Sequence, residues 1–315
     1  MKVVLHYAAG PGLTRRVAEI EQRQGLRVAI CPVADRAGYR AAMADAEVLW
    51  HLLDPVTEAV LAGAPALRLV QKIGVGVNTI DLDAARRRGV AVSNMPGTNT
   101  QAVAEMTLLL ILAALRRVAR LDAATRAGEG WRQPVEVQDR YGEVSGRTIG
   151  LVGYGAVPRR LAPVLAAMGA RVLFASRSPK PEAVGEQRSL NDLLRESDVV
   201  SLHLPLAADT ERLIDAGAIA RMKRGAVLVN TARGALVDEA ALIDALARRH
   251  LGAAGLDVFE TEPLPADSPL LQREDVIVTP HVAWLTQETL ERSLAVAAEN
   301  CRRLGAHEEL LHRVV

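Results

Sequence analysis

The sequence predicts an α/β protein of two doubly wound parallel-sheet domains, the smaller of them discontinuous. Three observations predict it. The chain has 315 residues, half of them hydrophobic, a length that fits two cores of roughly 150 residues each. Short β-branched runs alternate with Ala/Leu/Arg-rich helical stretches through nearly the whole chain. The strand candidates are continuous apolar runs, as in parallel sheets covered on both faces.

Strands are expected at 3–5, 27–30, 48–49 and 68–70, which with their helices form a small α/β unit. A long helix follows, from about 99 to 126, with Asn99 or Thr98 as its cap. Its apolar positions Val103, Met106, Leu109, Leu110, Ala113 and Leu115 run almost all round, so it is expected to be buried between domains or subunits. Strands at 148–152, 171–175, 199–202, 226–230, 254–257 and 276–278 make a second, larger unit. The last helix, about 287–303, returns to the first. The expected division is therefore 1–97 plus 285–315 for a substrate domain, and 98–284 for a larger domain.

Several function classes are disfavoured. Lys+Arg less Asp+Glu is 38 − 37 = +1, which supplies no electrostatic pull toward nucleic acid or an anionic membrane. The four lysines, Lys2, Lys72, Lys180 and Lys223, do not follow glycines, so a phosphate loop ending Gly-Lys-Ser/Thr is excluded. Cys31 and Cys301 form no metal spacing and read as reduced thiols. The seven histidines contain no His-Glu-x-x-His, which disfavours a zinc hydrolase. The first residues read as a strand and not as a signal peptide. The greasiest stretch, Met106 to Leu115, is far shorter than the ~20 residues that span a bilayer. A cytoplasmic protein is expected.

The segment Thr148-Ile-Gly-Leu-Val-Gly153-Tyr154-Gly155-Ala156-Val157-Pro158 places Gly-x-Gly-x-x-Pro between a strand and a helix. Gly153 would make the tight turn of a Rossmann-like dinucleotide fold, and Gly155 would let the backbone approach a pyrophosphate at the helix N-terminus. Pro158 stands where that pattern has its third Gly, and Pro163 follows. Together they predict a kinked or delayed helix. The next strand ends in Ser176-Arg177-Ser178, with no acid for a ribose 2′-hydroxyl. A guanidinium between two hydroxyls suits a 2′-phosphate, which predicts NADP(H) over NAD(H).

Three further segments follow strands of the same domain: Asn230-Thr231-Ala232-Arg233-Gly234, Asp257-Val-Phe-Glu-Thr-Glu262-Pro263 and Thr279-Pro280-His281. The carboxyl ends of parallel strands are where open α/β sheets bind ligands. A cation for a carboxylate and an imidazolium for a carbonyl oxygen suit reduction of a 2-keto acid. His203, in Leu-His-Leu-Pro, lacks a chemical task and reads as structural. Trp131 reads as a packing residue, and His307 and His312 as solvated.

At these residues the chain resembles the D-isomer-specific 2-hydroxyacid dehydrogenase family over nearly its full length. The likeness includes Lys-Ile-Gly74-Val75-Gly76-Val-Asn78-Thr79-Ile-Asp81, Asn94-Met-Pro-Gly97, Ala104-Glu105, His203-Leu-Pro-Leu, Thr-Ala-Arg233-Gly and Pro280-His281. The resemblance implies that Arg233, Glu262 and His281 are catalytic. Arg233 would pair with the substrate carboxylate, and His281 would pass a proton to the carbonyl oxygen. Glu262 would hydrogen-bond the imidazole and favour its protonated form. The resemblance places substrate contacts on Val75, Gly76, Arg233 and His281. It places cofactor contacts on Gly153, Tyr154, Gly155, Ala156, Val157, Ser176, Arg177, Ser178, Leu204, Pro205, Thr231, Ala232, Arg233, Asp257, His281 and Ala283, with Asp257 orienting the nicotinamide amide. It implies no metal, and a homodimer.

Asn78 and Thr79 depart from the family's usual Asp and Asn or His, so fine specificity is not carried over. Trp284 and the serine–arginine pair resemble the glyoxylate/hydroxypyruvate reductase branch, which makes those two keto acids the first expectation. D-lactate, D-glycerate and 3-phosphoglycerate are the alternatives. The end of the chain at 315 disfavours the long regulated phosphoglycerate dehydrogenases, and Glu262 disfavours the formate-oxidising relatives, which carry Gln there. A reading from another class is a dinucleotide-sensing corepressor of the same fold.

Overall fold

The apolar runs form parallel ladders. The structure, a computed structural model, describes residues 1–132 and 134–315. The chain divides into two units, Met1–Asn99 with Leu285–Val315, and Thr100–Trp284.

The first unit holds β1 (Lys2–His6), β2 (Arg27–Cys31), β3 (Val48–His51), β4 (Leu69–Lys72) and β5 (Ala91–Ser93). Their order is β2-β1-β3-β4-β5, a doubly wound arrangement whose winding reverses between β1 and β3. All four residues of β3 and of β4 are buried. That requires both faces to be covered, and explains why these strands do not alternate in polarity. The helix Gln287–Ala306, capped by the Thr286 side chain on Thr289 N–H, completes this unit.

The second unit holds β6 (Thr148–Val152), β7 (Arg171–Ala175), β8 (Glu186–Gln187), β9 (Val199–Leu202), β10 (Ala226–Asn230), β11 (Leu251–Leu256) and β12 (Val276–Val278). The order is β12-β11-β10-β9-β6-β7-β8. It is the dinucleotide-binding topology with one added edge strand, and its winding reverses between β6 and β9. Two parallel-sheet α/β domains are thus present as the pattern predicted.

Some expectations need correction. The long helix is two helices, Thr100–Arg116 and Val118–Arg126. Arg117 between them is left-handed, with φ 56°, which no helix accommodates. Within the single chain, Leu109 on the first helix is 57% exposed. Trp131, expected to pack, is 88% exposed. The helix after Gly155 starts at Ala156 and runs to Ala167 with Pro163 inside it, so its start is not delayed. Pro158 lies in the first turn, where an N–H has no intrahelical partner to lose. Two strands were not foreseen. β5 has only three residues, and β8 is a polar, exposed two-residue edge, where the apolar signal of a central strand is absent.

Candidate active site

In the second unit, the loops leaving β10, β11 and β12 each carry one of the three expected catalytic side chains. Asn230 ends β10 and is buried. Its Oδ1 accepts the Ala232 N–H at 3.0 Å and its Nδ2 donates to the Arg233 carbonyl at 2.8 Å. This side chain replaces the ladder that the departing strand gives up, and so shapes the turn. Thr107, on the helix Thr100–Arg116, donates its hydroxyl to Val103 O and lies 2.8 Å from the Thr231 hydroxyl. Thr231 is therefore the donor of that second bond.

Gly234 follows. A Cβ there would lie 1.9 Å from the carbonyl carbon and oxygen of Phe259, so only glycine lets the Arg233 loop close on the segment leading to Glu262. The Arg233 guanidinium donates to Ala232 O at 2.6 Å. Burial lowers its basicity, and the Glu262 charge opposes that effect. So basic a group stays a cation near neutrality.

Glu262 accepts the Phe259 N–H on Oε1 at 3.0 Å and faces His281 Nδ1 with Oε2 at 2.6 Å. Burial works against its ionisation. The His281 hydrogen bond and charge, the Phe259 N–H and Arg233 outweigh burial and hold its carboxyl below the usual range. An ionised carboxylate only accepts, so Nδ1 carries the proton and Nε2 is left for a second partner. Glu262 and Pro263 are joined by a cis peptide bond.

His281 has φ 54°, a left-handed conformation that disfavours a side chain. The surrounding hydrogen bonds over-determine it. Its N–H donates to the carbonyls of Asp257 and Thr279, and its carbonyl accepts the Trp284 indole N–H at 3.1 Å. Asp257, at the end of β11, is wholly enclosed. It accepts the Thr279 hydroxyl at 2.6 Å and the N–H groups of Val282 and Ala283, both at 2.9 Å. Burial raises its pKa, and those three donors oppose the rise. All three belong to the loop that carries His281. The side chain expected to orient a nicotinamide amide is thus engaged in holding that loop, as is the N–H of Ala283.

The dinucleotide segment fits its expected ligand in two respects. Gly153 has φ 96°, and a Cβ there would meet the His203 carbonyl oxygen at 2.8 Å, so both conformation and space demand glycine. At Gly155, φ is negative and a Cβ would meet nothing within 4 Å. The fold alone does not require glycine there, and the open space matches a ligand lying against the backbone. The helix it begins has no side-chain cap, so its first N–H groups can face a phosphate.

Gly155 and Ala156 are exposed and Val157 is half-buried. The Tyr154 ring packs on Phe174, and its hydroxyl binds both the N–H and the carbonyl of Val184, which leaves its backbone for the expected cofactor contact. Its side chain serves the core. Ser176 is half-buried, Ser178 is exposed, and Arg177 is 92% exposed at 3.4 Å from Asp209. Leu204 packs on the core, and Pro205 is exposed, with its carbonyl held by Thr210. Burial pushes His203 down to about 3, and its Nε2 lies 3.0 Å from Ser201 Oγ. It is a neutral, structural histidine beside Gly153.

In the first unit, Val75 and Gly76 follow β4 in a loop, with Val75 44% exposed. Sequence reasoning missed Asn230, Gly234 and Thr107. Asn230 left one faint signal, a lone amide at the end of an otherwise apolar run. Among the described residues no cluster of His, Cys, Asp or Glu is grouped to hold a metal, and no helix is long and apolar enough to cross a membrane.

Taken together, a held cation, a carboxylate-paired imidazole and a glycine-lined turn can bind a carboxylate, move a proton and take a dinucleotide phosphate. Residues 108–283 match the family described as D-isomer specific 2-hydroxyacid dehydrogenase, NAD binding domain. A glyoxylate reductase of Aeropyrum pernix is 44% identical over 266 residues, covering 81% of this chain and 79% of its own. A D-3-phosphoglycerate dehydrogenase of Mycobacterium leprae is 41% identical over 279 residues, covering 87% of this chain but only 52% of its own. Among solved structures, the TT0316 protein of Thermus thermophilus is 38% identical with a TM-score of 0.88, each chain covered in full.

Proposed function

Because the chain belongs to the D-isomer specific 2-hydroxyacid dehydrogenase family, we propose that it reduces small 2-keto acids, glyoxylate and hydroxypyruvate first among them, with NADP(H) preferred. It is an oxidoreductase of D-2-hydroxy acids that uses a nicotinamide dinucleotide. The bound dinucleotide supplies or accepts the hydride. The observation that carries the proposal is the 2.6 Å pairing of His281 with Glu262 in the loop beside that of Arg233.

Arg233 pairs with the substrate carboxylate and orients the keto group. His281 hands a proton from Nε2 to the carbonyl oxygen during reduction and recovers it during oxidation. Glu262 fixes the tautomer and balances the imidazolium charge. Asp257, through Thr279 and the 282–283 amides, keeps His281 in its left-handed backbone. Gly153, Gly155, Ala156 and Val157 present backbone to the pyrophosphate, while Leu204, Pro205, Thr231, Ala232 and Ala283 contact the cofactor. Val75 and Gly76 donate amides to a substrate carboxylate.

Preference for NADP(H) rests on Ser176, Arg177 and Ser178. Two hydroxyls and an exposed guanidinium stand at the end of β7, where a ribose-binding acid is missing. A homodimer is supported by the apolar residues left exposed in the second unit, Leu109, Val118, Trp131 and Val135. A cytoplasmic setting suits two free, buried thiols, Cys31 and Cys301.

A panel of 2-keto acids assayed with NADPH and NADH tests the proposal. The highest kcat/KM is expected for glyoxylate or hydroxypyruvate with NADPH. No turnover of any 2-keto acid with either coenzyme would overturn the reading. Sedimentation of the purified protein tests the dimer.

A further inference from the structure

We infer that Asn94 is a positioning residue for carboxylate binding, because it aims one of two outward-facing amides in the loop after β4. The inference rests on the proposed function, in which Val75 and Gly76 take the substrate carboxylate.

The loop is tied down through its carbonyls. The Met95 N–H donates to the Gly74 carbonyl at 2.9 Å, and Asn94 Nδ2 donates to the Val75 carbonyl at 2.9 Å. A trans peptide is planar, with C=O and N–H pointing in opposite directions. Holding Gly74 O toward Met95 therefore turns the Val75 N–H away from it. Holding Val75 O toward Asn94 turns the Gly76 N–H away as well. Neither amide has an acceptor among the described residues. Two neighbouring unpartnered amides presented together form an anion-binding concavity.

Asn94 is itself held. Its N–H donates to His312 O at 3.2 Å, and its carbonyl accepts Gln71 Nε2 at 3.4 Å. Gln71 is fully buried and is in turn gripped by Asn300. Gly74, at φ 141°, supplies the one backbone turn that a side chain would resist. The amide donor at position 94 is therefore carried on a rigid base. No chemistry requires it except the direction of the peptide it holds.

Asn94→Ala and Asn94→Asp test this. An alanine frees the Val75–Gly76 peptide to rotate. An aspartate places acceptor against acceptor and a negative charge beside the anion. The glyoxylate KM should rise ~10-fold in Asn94→Ala, the effect of one lost hydrogen bond, and further in Asn94→Asp. The Kd of NADPH should stay within about twofold of wild type, the tolerance set by an intact dinucleotide domain. Oxalate, a dianion that cannot be reduced, should lose inhibition in parallel with the rise in KM.

An unchanged KM and oxalate Ki in either folded variant overturns the inference. So does an equal loss of NADPH affinity, which would mark general loosening. If Asn94→Asp fails to fold, Asn94→Ala decides alone. Wild-type turnover of glyoxylate with unaffected Asn94 variants sinks only this inference. Absence of turnover in the wild type sinks the proposed function instead.

Discussion

The Glu262 carboxylate stands 2.6 Å from Nδ1 of His281, although the two residues come from different strand ends and His281 holds an unfavourable backbone conformation to reach it. The contact assigns the ring's proton to Nδ1 and leaves Nε2 for the proposed proton transfer. His281→Asn should lower kcat by ~10²–10⁴ through lost proton transfer, with NADPH binding preserved. Steady-state kinetics with glyoxylate beside a coenzyme titration checks this, and a kcat within tenfold of wild type would refute the role.

Arg233→Ala should raise KM and lower kcat together, because in the proposed reaction the guanidinium both binds and orients the carboxylate. Arg233→Lys should recover little, since an ammonium cannot make the two-pronged contact. Full recovery in the lysine variant would reduce Arg233 to a simple point charge.

Ser176→Asp with Arg177→Ala should move preference from NADPH toward NADH. The new carboxylate accepts from a ribose 2′-hydroxyl and repels a 2′-phosphate. The ratio of kcat/KM for the two coenzymes is the readout, and an unmoved ratio removes Arg177 from the site.

Gly234→Ala should cost about 1–3 kcal/mol of stability, the usual range for overpacking, and should lower kcat/KM as well. The added Cβ meets the Phe259 backbone at 1.9 Å, so the Arg233 loop and the Glu262 segment must separate. A variant with wild-type melting and wild-type kinetics would mean that the close approach is dispensable.

His203 is held neutral by burial, down to about 3 against an ordinary 6.5. Only the unfolded chain takes up a proton between those values, so the buried neutral ring costs nothing above pH 6.5. Its cost grows as pH falls toward 3, reaching about 2 kcal/mol at pH 5. His203→Gln, which can still pair with Ser201, should therefore lose less stability between pH 7 and pH 5 than wild type. Urea titrations at the two pH values measure the difference, and parallel losses would count against it.

Much of this was legible in one dimension because it depends on local chemistry. A strand in a doubly covered sheet must be apolar throughout, so β6, β7, β9, β10 and β12 could be bounded from their residues alone. Gly153 announces a tight turn, and an Arg, a Glu and a His placed past successive strands announce chemistry at their carboxyl ends. The break at Arg117 and the strand β8 left no comparable mark. The residues around Arg117 are ordinary helix formers, and β8 is two polar residues at an edge.

Residue types and their spacing were enough to establish the parallel-sheet architecture and the dinucleotide turn and to propose Arg233, Glu262 and His281 as the reactive side chains, since these follow from backbone and side-chain preferences that each residue carries with it. The folded chain alone decided how those side chains are held. Gly234 passing under Phe259, Asp257 spending its carboxylate on the His281 loop and Tyr154 facing inward are all contacts between segments distant in sequence. Their energies depend on which groups folding brings within 3 Å, a quantity that no local preference contains.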